Sequence, residues 1–234
     1  TEASFSAATI AVALAGSGMI VGVLTRTGAA LAFSGVVVEA ARGMLLVAMV
    51  LIFLVVSVLG TGIPTTAAYV IAVTVGAAAM GNLGVSLLAA HLFVFYYAVL
   101  SDLTPPDAVT AFAAANIAGA DMFATGLEAF RLGVAGFLVP FAFVYHGELL
   151  LKGSWPRIIV MAALAAVSAV ALASSVVGHA GGPLSGRLRG LCLVAAALLV
   201  VRAGVLQMLG VALYAGVVLW SAQRREDAPA VNPG

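Results

Sequence analysis

Residues 60–69 (GTGIPTTAAY) carry the residue types that hold ions inside membrane proteins. Two glycines and a proline within five residues break the hydrogen-bond ladder of a helix. This break lies in a run, residues 43–101, that contains no Asp, Glu, Lys or Arg. Lipid does not tolerate broken backbone, so the freed carbonyls must be buried in protein or line a polar cavity. Because secondary transporters hold ions and substrate at such breaks, the pattern predicts part of a transporter.

The first break offers oxygen ligands that suit a hard cation such as sodium. Unwound backbone supplies carbonyls, and the helix ends on either side supply an electric field. Proline also leaves unpaired the carbonyl four residues before it. The candidate ligands here are Gly60, Gly62, Pro64, Thr65 and Thr66.

Two other stretches carry similar chemistry. Ser17, between two glycines in the first apolar segment, offers a further hydroxyl. Residues 101–107 (SDLTPPD) form a second break, in which Asp102, Thr104 and Pro105 are candidates for a second ion or for the substrate surface. The sequence therefore predicts two breaks that each contribute to a site.

The composition places the chain in a membrane. It has 64% hydrophobic residues, only 8% charged residues and a mean hydropathy of +1.21, whereas soluble proteins have about 25% charged residues. A net charge of +1 with no basic patch argues against a nucleic-acid partner. The single cysteine, Cys192, excludes an internal disulfide framework.

Apolar segments between charged residues predict an all-α, polytopic transmembrane protein with re-entrant or broken helices. The segments flanking the first break fit either a re-entrant hairpin or one broken spanning helix. The last segment, interrupted at Arg202, fits one long tilted helix or two short helices. Glycines predict an unwound second half of the first segment, and aromatic residues 93–97 predict an interfacial belt. The segments are residues 3–24, 44–59, 65–80, 87–100, 108–118, 132–144, 158–177 and 191–220.

Three stretches carry a more specific pattern. They are residues 15–25 (AGSGMIVGVLT), residues 59–69 (LGTGIPTTAAY), and a third that begins at residues 89–96 (AAHLFVFY) and continues through LTPP (103–106), AGAD (118–121), AFRLG (129–133) and FVY (143–145). In order and spacing, these stretches resemble the C-terminal portion of the large permease subunit of tripartite ATP-independent periplasmic (TRAP) transporters, in the branch that uses TAXI-type binding proteins. The chain departs from that family pattern at Asp107, Asn116 and residues 145–147.

The resemblance implies one inverted repeat of an elevator-type, sodium-coupled transporter and not an enzyme. Residues 1–150 would be the C-terminal repeat, residues 151–222 additional transmembrane helices and residues 223–234 a polar tail. In the family, the serine/glycine and glycine/proline breaks meet at one sodium site. The sodium ligands implied are Ser17, Gly18, Gly60, Gly62, Pro64 and Thr65.

The resemblance also implies partners and a location. A periplasmic substrate-binding protein would deliver a small organic anion, expected to be a carboxylate, to a multi-pass protein of the bacterial inner membrane. The rest of the permease would comprise an N-terminal repeat and a small membrane subunit or its fused equivalent. Sodium ions are the only metal expected, and no other cofactor is expected.

Two other functions compete with transport. Ser17 between glycines, with His91, His146 and His179 as possible bases, fits an intramembrane serine protease, although that function leaves both breaks unexplained. A non-transporting structural subunit is the other alternative. No phosphate-binding loop of the Gly-x-x-x-x-Gly-Lys-Ser/Thr type supports ATP-driven transport.

Overall fold

The computed structural model describes residues 11–12, 15–16, 18–24, 26–60, 64–104 and 108–226. Within these ranges the regular structure is helical and no strand forms, which confirms the all-α prediction. Residues 18–24 are helical. The α-helices that follow are α1 (Ala29–Ala40), α2 (Leu45–Gly60), α3 (Thr65–Asn82), α4 (Leu87–Leu100), α5 (Val109–Ala118), α6 (Met122–Gly133), α7 (Val139–Tyr145), α8 (Trp155–Val177), α9 (Gly186–Val200) and α10 (Gly204–Glu226).

Four stretches of the described residues are long and apolar enough to cross a bilayer, which confirms a polytopic membrane protein. They are α3, the continuous helical stretch Met122–Tyr145, α8, and Gly204–Gln223 within α10. Their lengths of 18 to 24 residues correspond to about 27–36 Å, close to the roughly 30 Å of a hydrocarbon core. Helix α2 and the stretch Leu87–Leu103 are apolar but shorter.

The chain forms two compact units, Thr1–Phe130 and Arg131–Gly234. In the first unit, α2, α3 and α4 pack against one another. Small residues allow the close approach, because a Cβ at Gly76 would lie 2.8 Å from Val94 and 3.1 Å from Ile52. The turn between α3 and α4 ends at Gly84, whose φ of +83° favours glycine. A break, a returning hairpin and a second break thus follow in order along the chain.

The predicted aromatic belt is wrong for half of its members. Phe93 and Tyr97 are fully buried between helices, with ring centroids 4.8 Å apart, and Tyr97 also lies 4.7 Å from Phe53. Phe95 is 46% exposed. Residues 93 and 97 lie one turn apart on the face of α4 that packs inward, so their rings form part of the packed core.

In the second unit, α8, α9 and α10 pack together. The chain turns at residues 201–203, which shows that the last apolar segment is two helices. The segment predicted at residues 132–144 begins earlier than expected. Helix α6, a 3₁₀ turn (Val134–Leu138) and α7 form one continuous helical stretch that starts at Met122. Glu128 and Arg131, which precede the predicted segment, lie inside this stretch. The predicted domain boundary after residue 150 stays a prediction.

Candidate cation site at two helix breaks

The first break separates two helices in the apolar region. Helix α2 ends at Gly60, and α3 begins at Thr65 after Pro64, whose backbone is extended with φ −56° and ψ 137°. Residues 61–63, including Gly62, lie outside the described residues. The end of α2 presents carbonyls without intrahelical donors, and the start of α3 presents N–H groups without intrahelical acceptors. Both kinds of polar group therefore face the break.

The second break follows α4. A short 3₁₀ turn, Ser101–Leu103, leads to Thr104, whose extended backbone is typical of a residue that precedes proline. The Thr104 hydroxyl donates to the carbonyl oxygen of Leu100 at 2.9 Å. Residues 105–107, with the predicted site residue Pro105, lie outside the described residues, and the chain is helical again from Val109.

The two breaks meet in space. The Thr65 Oγ1 hydroxyl donates a hydrogen bond of 2.8 Å to Asp102 Oδ2. Gly60 is buried directly against Ser101, since a Cβ at Gly60 would overlap the Ser101 side chain. The α3–α4 hairpin explains the meeting, because α3 runs away from the first break and α4 returns to it. Two stretches that the sequence treats as separate candidates thus lie side by side.

The electrostatics of this meeting point favour a cation. Asp102 is the first Asp, Glu, Lys or Arg after Arg42 in the sequence, and it is half-buried. Its hydrogen-bond partner is the first residue of α3, where the positive end of the helix dipole faces the carboxylate. The negative, carbonyl end of α2 packs at Gly60 against Ser101, the residue that precedes Asp102. A carboxylate, a hydroxyl and helix-end carbonyls are the oxygen ligands that hard cations prefer.

The structure brings together only some of the predicted ligands. Gly60, Thr65 and Asp102 belong to the meeting point, and Pro64 lies exposed at the start of α3. Thr104 is half-buried one turn after Leu100 and uses its hydroxyl there. The roles of these residues as ligands stay predictions.

The first segment differs from its prediction. Residues 15, 16 and 18–24 are helical, so the predicted unwinding around Gly18 and Gly22 is wrong for the part that the structure describes. Gly18 is exposed, and no atom lies within 4 Å of a Cβ built on it. Glycine permits unwinding but does not require it, and apolar surroundings favour a paired backbone. Ser17 lies outside the described residues.

Two serines at or near the meeting point were missed by the sequence reasoning. Ser101 is 1% exposed, and its hydroxyl donates to the carbonyl oxygen of Ala98 at 2.7 Å. Ser57 is 9% exposed and lies one turn before Gly60. A signal for Ser57 was present, because it is the one hydroxyl in the sixteen residues of α2.

Two of the three histidines considered as protease bases have other partners, and the third is exposed. His91 Nδ1 lies 2.9 Å from the Tyr69 hydroxyl, and Tyr69 also packs edge-on against Phe95. His146 Nε2 lies 3.1 Å from the carbonyl oxygen of Val200. His179 is exposed. The geometry of the described residues therefore does not favour an acyl-transfer site.

Comparison with known proteins gives one family. The model of the tripartite ATP-independent periplasmic transporter, DctM component, matches residues 1–158 of the 234-residue chain, which include both breaks and the hairpin between them. No curated protein and no solved structure matches the chain. A match over about two thirds of the sequence shows the family, which is one of transporter permeases and not of enzymes. The chain therefore belongs to the DctM family, the large membrane permease component of TRAP transporters.

Proposed function

We propose that this permease is sodium-coupled and that the meeting point of the two breaks binds the coupling ion. The observation that carries the proposal is the 2.8 Å hydrogen bond between Thr65 and Asp102. It holds a carboxylate at the start of α3, next to Ser101, which packs on Gly60 at the end of α2. The preceding residues 43–101 contain no Asp, Glu, Lys or Arg.

The physical argument concerns the cost of moving a charge within a membrane. A carboxylate in a low-dielectric environment is expensive unless a counter-charge accompanies it. A sodium ion bound at Asp102 neutralises that charge and takes oxygen ligands from Thr65 and the α2 carbonyls. The ion-loaded site is then less costly to carry past the apolar surroundings than the empty site, which couples ion binding to movement.

The substrate and partners follow from the same assignment. We propose a small organic anion, such as a carboxylate, that is delivered by a periplasmic substrate-binding protein of the TAXI type. The start of α5, just after the second break, presents the positive end of a helix dipole, which suits an anionic group.

The assignment also includes the rest of the assembly. Residues 1–150 serve as the C-terminal repeat, and residues 151–222 as additional helices. An N-terminal repeat and a small membrane subunit, or a fused equivalent, complete the permease in the bacterial inner membrane.

Sodium-dependent stability tests this function. The purified chain is unfolded by heat in detergent with sodium or potassium chloride at matched ionic strength. Binding to the folded state alone stabilises it by RT ln(1 + [L]/Kd), about 2.7 kcal/mol when sodium is at 100 times its Kd. We expect a higher unfolding midpoint in sodium, rising with sodium concentration.

The potassium series controls for general effects of salt. An equal midpoint in the two salts at every concentration, from a chain that unfolds cooperatively, would count against the sodium site. A rise with sodium alone supports the site independently of the substrate and of the binding protein.

A further inference from the structure

Ser57 has a buried hydroxyl without a partner. Its Oγ is inaccessible to solvent and makes no hydrogen bond, the single such side-chain atom among the described residues. The residue as a whole is 9% exposed and belongs to the inward face of α2. Buried polar groups in proteins are nearly always hydrogen-bonded, so each exception needs a physical reason.

The other hydroxyls in the apolar helices show what is usual. Ser101 donates to the carbonyl oxygen of Ala98, and Thr74 donates to that of Ile71 at 2.7 Å, each to a residue three positions earlier in the chain. Ser168 donates across the helix interface to the carbonyl oxygen of Ala196 at 2.8 Å. Such bonds are the ordinary way to satisfy a serine or threonine in a membrane helix. Ser57 does neither.

Ser57 lies between two contacts that α2 makes, one with α4 and one with the turn that follows α4. One turn before it, Phe53 packs on Tyr97, and one turn after it, Gly60 packs on Ser101. Ser57 therefore lies in the same interface, one turn from the point where the two breaks meet. One turn further along this interface, at the meeting point, lie the oxygens of Ser101 and Asp102 and the last carbonyls of α2.

We infer that the Ser57 hydroxyl is a further oxygen ligand of the coupling cation. A serine hydroxyl has lone pairs for a cation and a proton for a neighbouring carbonyl or carboxylate, so ion binding satisfies it. In the ion-free state the hydroxyl is left unpaired and the interface is less stable. This inference rests on the proposed sodium-coupled function and extends the ligand set into α2.

The test uses two serine-to-alanine variants of the full chain. Ser57→Ala removes a buried hydroxyl that has no protein partner, and Ser168→Ala removes a buried hydroxyl that has one. Thermal unfolding is followed in potassium and across a sodium titration for both variants and the wild type. Because alanine is smaller than serine, neither variant introduces a clash.

The inference predicts opposite behaviour for the two variants. In potassium, Ser57→Ala should be at least as stable as the wild type, since an unsatisfied buried hydroxyl is removed. In sodium it should need about tenfold more ion for the same shift, the loss of one ligand of ordinary strength. Ser168→Ala should be less stable in both salts and keep the wild-type sodium affinity.

The outcomes separate the inference from the function. If the wild type responds to sodium and Ser57→Ala responds with unchanged affinity, the ligand role is overturned and the sodium site stands. If Ser57→Ala loses stability in potassium as Ser168→Ala does, the hydroxyl has a structural partner and the inference is also overturned. If the wild type shows no sodium response, both the site and the inference fail.

Discussion

Thr65 and Asp102 are 37 residues apart in sequence, yet Oγ1 of the threonine donates to Oδ2 of the aspartate at 2.8 Å. The bond ties the start of α3 to the turn that follows α4, so it closes the open end of the hairpin that these helices form. It also orients the carboxylate relative to the helix ends at the first break. One hydrogen bond therefore contributes both to the fold of the hairpin and to the geometry of the proposed site.

Replacing Asp102 by asparagine separates these two contributions. The amide oxygen of Asn still accepts a hydrogen bond from Thr65, so we expect a loss of less than about 1 kcal/mol of stability in potassium. The negative charge is gone, so the sodium-dependent rise of the unfolding midpoint should disappear. Thermal unfolding in the two salts measures both effects. A variant with the full sodium response would show that the carboxylate does not bind the ion.

Thr65→Val is the complementary change. Valine has the shape of threonine but cannot donate, so the carboxylate stays charged and loses its partner. We expect a loss of about 1 kcal/mol in either salt, as for a partly exposed hydrogen bond, and a weaker but measurable response to sodium. Equal loss of the sodium response in Thr65→Val and Asp102→Asn would indicate that orientation matters as much as charge.

Gly60 makes the second contact between the two breaks, by packing against Ser101. Gly60→Ala places a methyl group in the space of the Ser101 side chain, and overpacking of this kind costs about 1–3 kcal/mol. We expect a lower unfolding midpoint in both salts. The double variant Gly60→Ala with Ser101→Gly should recover much of the loss, because it removes the overlapping atoms.

Gly81→Ala is the matched control for Gly60. Gly81 is helical and exposed, and no atom lies within 4 Å of a Cβ built there. Alanine is favoured over glycine by about 0.5–1 kcal/mol in a helix. The control should therefore be neutral or slightly stabilised. Equal destabilisation of the two variants would argue against the packing of Gly60 on Ser101.

The sequence predicts the helices best where local chemistry decides them. The first break follows from glycine and proline acting within a few residues, and the bounds of α4 agree with the predicted residues 87–100. The start of the Met122–Tyr145 stretch was missed, because the predicted segment, residues 132–144, begins only after the charged residues Glu128 and Arg131. A long helix can contain two charged residues three positions apart, and the sequence alone does not show that the helix continues through them.

The site was less accessible to sequence reasoning. Thr65 and Asp102 were both named, but for different sites, since nothing local links them. Their proximity depends on the antiparallel packing of an 18-residue and a 14-residue helix, which brings the start of α3 close to the end of α4. Ser57 was missed for a similar reason, because whether a helical serine has a partner depends on the opposing helix. The sequence shows which residues have suitable ligand chemistry, but only the packed helices show which of them lie close together.

His146 connects the family-matched part of the second unit to the helices beyond it. The residue is 6% exposed, and its Nε2 lies 3.1 Å from the carbonyl oxygen of Val200 and 3.2 Å from the amide nitrogen of Gln207, itself 7% exposed. With a proton, Nε2 donates to Val200; without one, it accepts from Gln207. The family match ends at residue 158, so both partners lie outside it.

His146→Ala should therefore destabilise the second unit. The substitution leaves the buried amide of Gln207 and the Val200 carbonyl without this partner, which costs about 1–3 kcal/mol. His179→Ala, at an exposed histidine, should change stability by less than about 0.5 kcal/mol. Thermal unfolding of the two variants in detergent makes the comparison. Similar midpoints for both would show that the polar contact does not stabilise the packing of α9 and α10.

Arg189 caps the end of α8 from the first turn of α9. Its Nε donates to the carbonyl oxygen of Ser175 at 2.7 Å and its Nη2 to that of Val176 at 2.9 Å, while the Ser175 hydroxyl donates back to the Arg189 carbonyl at 2.9 Å. These carbonyls belong to the last turn of α8, which has no further intrahelical donors. A cation at this end also complements the helix dipole.

Loss of this cap should lower the stability of the protein more than loss of the nearby Arg187 side chain. Arg189→Ala removes two hydrogen bonds from a charged donor, and at this exposed position we expect a loss of about 1–2 kcal/mol. Arg189→Lys should recover only part of it, since an ammonium cannot present the planar fork that reaches both carbonyls. Arg187→Ala removes the same charge from an exposed residue two positions away and should change stability by less than about 0.5 kcal/mol. Equal losses in Arg187→Ala and Arg189→Ala would assign the effect to net charge near the membrane surface and not to the cap.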